Sequence, residues 1–189
     1  MDHFMLGAHE VLELHEVLEG TVSAIHQFRL YQPHVQDDDL RTLISTQLTF
    51  MLSEYDYLVS LSESISNTKG EVYKRHNPKV DPVYGLDGPH MIYPKPSLPQ
   101  MTDRDVASGM LQALKSGAVM KMRASLEIAS RPLRDALQQA SQNCSEQAYE
   151  VFLYMNRRGY YQVPFLSNQQ DVLRQYQYSP ESLGFAPRA

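Results

Sequence analysis

The sequence predicts an all-α protein built from four long helices with one extended connection in the middle. Three observations lead to this prediction: four segments with apolar residues at helical spacing, short turns within each helix pair, and prolines concentrated between the pairs. With 189 residues the chain is long enough to bury a core of its own, so we expect a single domain over residues 1–189.

The first helix pair is predicted over residues 8–67. Apolar residues recur every three or four positions over 8–31, and Pro33 ends this first helix. The three aspartates at 37–39 supply a cap and a negative first turn, both of which favour a helix N-terminus. The second helix follows and runs to about Asn67, so a short turn makes the two helices antiparallel.

The connection over residues 69–101 holds six of the eleven prolines, which exclude a helix or a central strand. In an extended conformation this length of chain reaches about 100 Å. It is therefore long enough to return along the whole second helix and to start the third helix parallel to it. A four-helix bundle with one long crossover of this kind is ferritin-like, which is the fold that we predict.

The second helix pair is predicted over residues 102–158. Thr102 and Asp105 have the spacing of a capping box at the start of the third helix. Ser130 is placed to cap the fourth helix, which Gly159 ends at its C-terminus. Residues 160–189 then form an aromatic tail, which we expect to lie over the bundle or on a partner.

Charge is divided unevenly along the chain. Residues 1–68 carry eleven acidic side chains and two arginines, a net charge of −9, whereas residues 69–189 carry fifteen basic and eleven acidic side chains, a net charge of +4. Such a division favours contact between the halves or between molecules. The overall charge of −5 argues against nucleic-acid binding, because phosphate affinity needs an excess of Lys and Arg on one face.

Compartment and membrane signals are few. Cys144 is the single cysteine and has no disulfide partner within the chain. No segment approaches the length of an apolar membrane span, and the first residues lack the pattern of a signal peptide. We therefore expect synthesis in the cytoplasm and no membrane span.

A metal site is the chemistry that this fold suggests first, because its di-iron members use Glu-x-x-His motifs. No Glu in the chain has His three residues later, and Glu54 is followed by Tyr57 instead. We predict no catalytic residue and no cofactor. The alternative is a ferritin-like metal-binding or redox protein with a non-standard site formed by His15, Glu19 and His26, which share one helix face.

Tyrosine is the residue type that stands out, and seven of the twelve lie outside the predicted helices. Aromatic rings in irregular segments serve either to anchor those segments on a bundle or to form an adhesive surface. The residues that we predict for assembly are Tyr73, Tyr84, Tyr93, Tyr160, Tyr161, Tyr176 and Tyr178.

Four segments of the chain carry a recognisable pattern: GAHEVLELHEVL at 7–18, MTDRD at 101–105, ASRPLR at 129–134 and YMNRRGYY at 154–161. Together they resemble the Coat F family of spore coat proteins from endospore-forming bacteria. The resemblance covers about residues 7–67 and 101–164, and its motifs are caps and turns with no catalytic residue among them. It implies a ferritin-like bundle without a metal centre, located in or near the spore coat.

The sequence therefore predicts a non-enzymatic structural or assembly protein of the spore coat. Other spore coat proteins are the expected partners, and whether the chain also forms a homo-oligomer is left open. The expected mechanism places the acidic first hairpin of one molecule against a basic surface of another, with exposed aromatic rings buried at the contact.

Overall fold

The structure is a computed structural model that describes residues 6–63, 70–77, 79–88 and 100–176. In these residues the regular elements are helices, together with isolated β-bridges that join residues 84 and 85 to Val163. The all-α prediction is confirmed for this part of the chain. The elements are α1 (Ala8–Tyr31), a 3-10 helix (Gln32–His34), α2 (Asp38–Glu63), α3 (Asp103–Leu126), α4 (Arg131–Arg157) and α5 (Gln169–Arg174).

The four long helices contact one another pairwise: α1 packs on α2 and α3, and α4 packs on α2 and α3. Their buried apolar side chains form two clusters, one toward each end of the helices. One cluster includes Phe28, Ile44, Met110 and Val151. The other includes Leu14, Leu58, Leu133 and Leu137. In the described residues no helix is long and apolar enough to cross a membrane.

Three predicted helix ends have the expected geometry. Asp37 is the N-cap of α2, and its Oδ1 accepts hydrogen bonds from the amides of Asp39 at 2.9 Å and Leu40 at 3.2 Å. At the start of α3, Thr102 and Asp105 form both halves of the capping box. Gly159 follows α4 with φ of +71°, a conformation that glycine adopts without strain.

Ser130 is the N-cap residue of α4, but its side chain does not make the predicted cap. The structure gives the buried Ser130 hydroxyl no hydrogen-bond partner. The backbone amide of Ser130 instead donates to Glu10 Oε1 at 2.8 Å, while Glu10 Oε2 accepts from the amide of Gly7 at 2.6 Å. The carboxylate of Glu10 therefore accepts hydrogen bonds from backbone amides at the start of α1 and at the start of α4.

The described part of the connection between α2 and α3, residues 70–77 and 79–88, lies along α4. Three α4 side chains bind its backbone: Asn143 accepts from Tyr73, Glu150 accepts from His76, and Asn156 both accepts from and donates to Val83. These contacts advance in the same direction on both segments, so the connection runs parallel to α4. The connection thus approaches the C-terminal end of α4. The starts of α2 and α3 are joined by a hydrogen bond: the amide of Gln36, just before α2, donates to Asp103, the first residue of α3, at 2.8 Å.

The predicted end of the second helix at Asn67 and five of the six prolines of the connection lie outside the described residues. The short helix α5 was not predicted, because the tail offers only six helical residues and no buried face. Residues 164–176 are exposed, so this part of the tail does not pack closely on the long helices.

Candidate functional site: a buried ion pair and an exposed aromatic ladder

An ion pair lies between the two apolar clusters. The Nζ of Lys121 on α3 is 2.5 Å from Oε2 of Glu54 on α2, and both side chains are at most 5% exposed. Along each helix the pair is flanked by residues of both clusters: Met51 and Leu58 on α2, Leu114 and Ala124 on α3. Two opposite charges thus lie in the interior, between the two apolar clusters.

Two side chains of α4 complete this group. Asn143 Nδ2 donates to Glu54 Oε1 at 2.8 Å, and Cys144 Sγ accepts from Lys121 Nζ at 3.3 Å. Burial disfavours the charge on Lys121, but the ion pair with Glu54 and the hydrogen bonds to Glu54 and Cys144 outweigh burial and raise the pKa of the ammonium. Burial also raises the pKa of the Cys144 thiol, so at neutral pH the sulfur is protonated and unreactive.

From the sequence, Glu54 and Glu146 were the best-placed carboxylates for a metal on the second and fourth helices, and Lys121 was not predicted as the partner of Glu54. Each oxygen of the Glu54 carboxylate already has a partner, because one accepts from the Lys121 ammonium and the other from the Asn143 amide. This arrangement does not suit a metal ligand. The alternative ligands His15, Glu19 and His26 are exposed on α1. Across the residues that the structure describes, no group of three or more His, Cys, Asp or Glu side chains is placed to hold a metal ion. The metal-binding alternative therefore has no support.

Tyr73 belongs to the interior rather than to an exposed adhesive surface. It is only 5% exposed, its hydroxyl donates to Glu150 Oε2, and its ring meets Phe50 edge-on at 5.0 Å. Burial and the neighbouring Glu150 carboxylate raise its pKa well above the ordinary tyrosine value. Tyr73 therefore anchors the connection to α4 and does not form part of an adhesive surface.

Three of the other predicted tyrosines are open to solvent: Tyr84 is 58% exposed, Tyr161 43% and Tyr176 82%. Tyr160 is partly buried and lies edge-on to Tyr154, at 6.4 Å between ring centroids. Tyr93 and Tyr178 lie outside the described residues.

Tyr161 is one member of a row of rings and cations that crosses the outer face of α4. Tyr149 stacks on Phe152 at 5.8 Å, and Phe152 meets Tyr161 edge-on at 5.5 Å. A cation lies over each end: Arg75 is 5.0 Å from the Tyr149 ring, and Lys115 of α3 is 5.4 Å from the Tyr161 ring. We call these five residues the aromatic ladder.

The ladder joins four parts of the chain: Arg75 comes from the connection, Lys115 from α3, Tyr149 and Phe152 from α4, and Tyr161 from the start of the tail. Tyr149 and Phe152 were not predicted for assembly because both lie within a predicted helix. Their i, i+3 spacing, which places them on one face of α4, was the available signal.

The Coat F domain family matches residues 102–164, which comprise α3, α4 and the Tyr160–Tyr161 pair. The chain is 34% identical over 167 residues to the spore coat protein F-like protein YhcQ of Bacillus subtilis (strain 168), a match that covers 86% of this chain and 76% of that protein. No solved structure is significantly similar. The chain belongs to the family of spore coat protein F-like proteins, as the four quoted segments predicted.

Proposed function

We propose that this protein is a non-enzymatic structural and assembly protein of the bacterial spore coat. The observation that carries the proposal is the 34% identity to a spore coat protein F-like protein over 86% of the chain. A similarity of that extent includes both helix pairs and not only the matched Coat F domain. Other spore coat proteins are the partners that we propose.

The use of the buried carboxylates supports a structural role. Glu10 accepts from backbone amides at two helix starts, Glu54 pairs with Lys121, and Glu150 binds Tyr73 and the backbone of the connection. Each of these three groups holds one element of the chain against another.

The surface supports a role in assembly. Exposed aromatic rings are costly to leave in water and are favoured at protein interfaces. Tyr84, Tyr161 and Tyr176 are the exposed tyrosines that we propose for contacts, with Tyr160, Tyr93 and Tyr178 as further members of the predicted set. Tyr73 is removed from that set because it is buried.

We also propose that the four long helices have the ferritin-like arrangement. The pairwise packing of α1 to α4 supports it, as does the path of residues 70–77 and 79–88 along α4 toward the start of α3. In this arrangement the whole chain forms one domain, and the ion pair of Glu54 and Lys121 occupies the interior where metal-binding members carry their ligands.

Fractionation of purified spores tests the proposed location. Coat layers are extracted with detergent and reductant, and the protein is quantified by mass spectrometry in the extract and in the remaining decoated spores. We expect the protein in the coat extract. Recovery mainly from the decoated spores would refute a coat function.

A further inference from the structure

We propose that the aromatic ladder is a docking surface for the acidic outer face of α1 in a second copy of this chain. The inference deepens the proposed function and rests on it, because it names the partner and the two surfaces of one assembly contact. It is carried by the charge and the exposed apolar area of both surfaces.

The ladder offers rings with an unpaired positive charge at one end. Tyr149 and Tyr161 are exposed, and Lys115 makes no ion pair with any residue that the structure describes. At the other end Arg75 is already paired with Glu146 at 3.1 Å. An incoming carboxylate is therefore attracted mainly to Lys115, while apolar atoms of the partner cover the rings.

The outer face of α1 has the complementary composition. Glu16 and Glu19 are exposed and form no ion pair within the described part of the chain. Leu12, one turn before Glu16, is 63% exposed, and its neighbour Val11 is also exposed. Because residues at i and i+4 share a helix face, this face presents an apolar residue beside carboxylates. Leucine can cover a ring of the ladder while a glutamate reaches Lys115.

The two surfaces are different patches of the same molecule, so the contact is heterologous. Such contacts generate closed rings or open chains of copies instead of a symmetric dimer. An open chain suits a protein whose proposed place is an extended layer. The excess of acidic residues in the first 68 residues and of basic residues thereafter favours the same head-to-tail order.

Charge-reversal variants of the two surfaces test the proposal. Their self-association is measured by sedimentation velocity over a series of protein concentrations. One variant is Lys115→Glu, and the other is Glu16→Lys with Glu19→Lys. We expect each variant alone to associate about tenfold or more weakly than the unaltered protein, because like charges then face each other. Mixing the two variants should restore association, since reversed charges meet. Lys79→Glu, at an exposed lysine outside the ladder, is the control with the same change in net charge.

The proposal is overturned if the unaltered protein is monomeric throughout, if Lys115→Glu weakens association no more than Lys79→Glu does, or if the mixture stays dissociated. Circular dichroism of each variant verifies that the helices are formed. The measurement uses purified protein without spores, so its failure leaves the coat location standing. That location fails separately, if fractionation finds the protein outside the coat.

Discussion

Glu54 and Lys121 form a salt bridge of 2.5 Å in the interior, between two apolar clusters and across two helices that are distant in sequence. Removing two charges from water is costly, and the cost is recovered only when the pair and its hydrogen bonds stay together. The pair therefore fixes the relative position of α2 and α3 more than it adds to stability.

Removing only one partner of the Glu54–Lys121 pair should destabilise the folded protein strongly. Lys121→Met leaves the Glu54 carboxylate buried without its cation, at a cost of about 3–5 kcal/mol in the free energy of unfolding. Adding Glu54→Gln removes that charge and keeps an oxygen for Asn143, so the double variant should be more stable than Lys121→Met alone. Urea denaturation measures both. A loss under about 1 kcal/mol for Lys121→Met, typical of surface pairs, would contradict the buried pair.

Substitution by phenylalanine should lower the free energy of unfolding much more at Tyr73 than at Tyr176. Tyr73→Phe deletes a buried hydrogen bond to a carboxylate and should cost about 1.5–3 kcal/mol. Tyr176→Phe is the matched control at an 82% exposed position, and we expect it to change stability by less than about 0.5 kcal/mol. Thermal or urea unfolding distinguishes them, and equal effects would show that Tyr73 is not anchored to Glu150.

Glu10 should make stability depend on acid pH. Hydrogen bonds from the amides of Gly7 and Ser130 lower its pKa below the ordinary value of 4.5. A carboxyl group with a lowered pKa in the folded state stabilises fully above its unfolded pKa, and this contribution disappears as the pH falls through the folded pKa. Glu10→Gln should therefore cost about 1–3 kcal/mol at pH 7, with a smaller difference from the unaltered protein in acid. If the difference in free energy of unfolding between Glu10→Gln and the unaltered protein is the same at pH 7 and in acid, the charge of Glu10 does not stabilise the two helix starts.

Cys144 should be nearly inert in the folded protein. Its thiol is buried and its pKa is raised by that burial, and each unit of increase lowers the thiolate fraction about tenfold. We expect a disulfide reagent such as DTNB to modify the folded protein at least about tenfold more slowly than the protein in urea. Similar rates in both conditions would mean that the sulfur is accessible.

Much of the helix pattern could be predicted from the sequence because its signals are local. Periodicity placed α1 at 8–31, and caps at Asp37 and Thr102 marked two further helix starts. Ser130 was predicted as a side-chain cap, but its hydroxyl has no partner, and the contact that its amide makes with Glu10, 120 residues away, has no local signal.

The interior was harder to predict, since it depends on contacts between distant residues. Lys121 was not expected inside because lysine is seldom buried without a partner, and that partner lies on another helix. Its position seven residues after the buried Leu114 was the available signal. Tyr73 was placed at the surface for a similar reason: Glu150 and Asn143, which hold it, come from α4.

The central claim is that this protein is a component of the spore coat, and immunogold labelling of thin spore sections tests it most directly. Antibodies raised against the purified protein are applied to intact spores in section, with spores of a strain lacking the gene as the control. We predict gold particles over the coat layers and none there in the control. Gold confined to the spore core or to the mother-cell cytoplasm would contradict the claim.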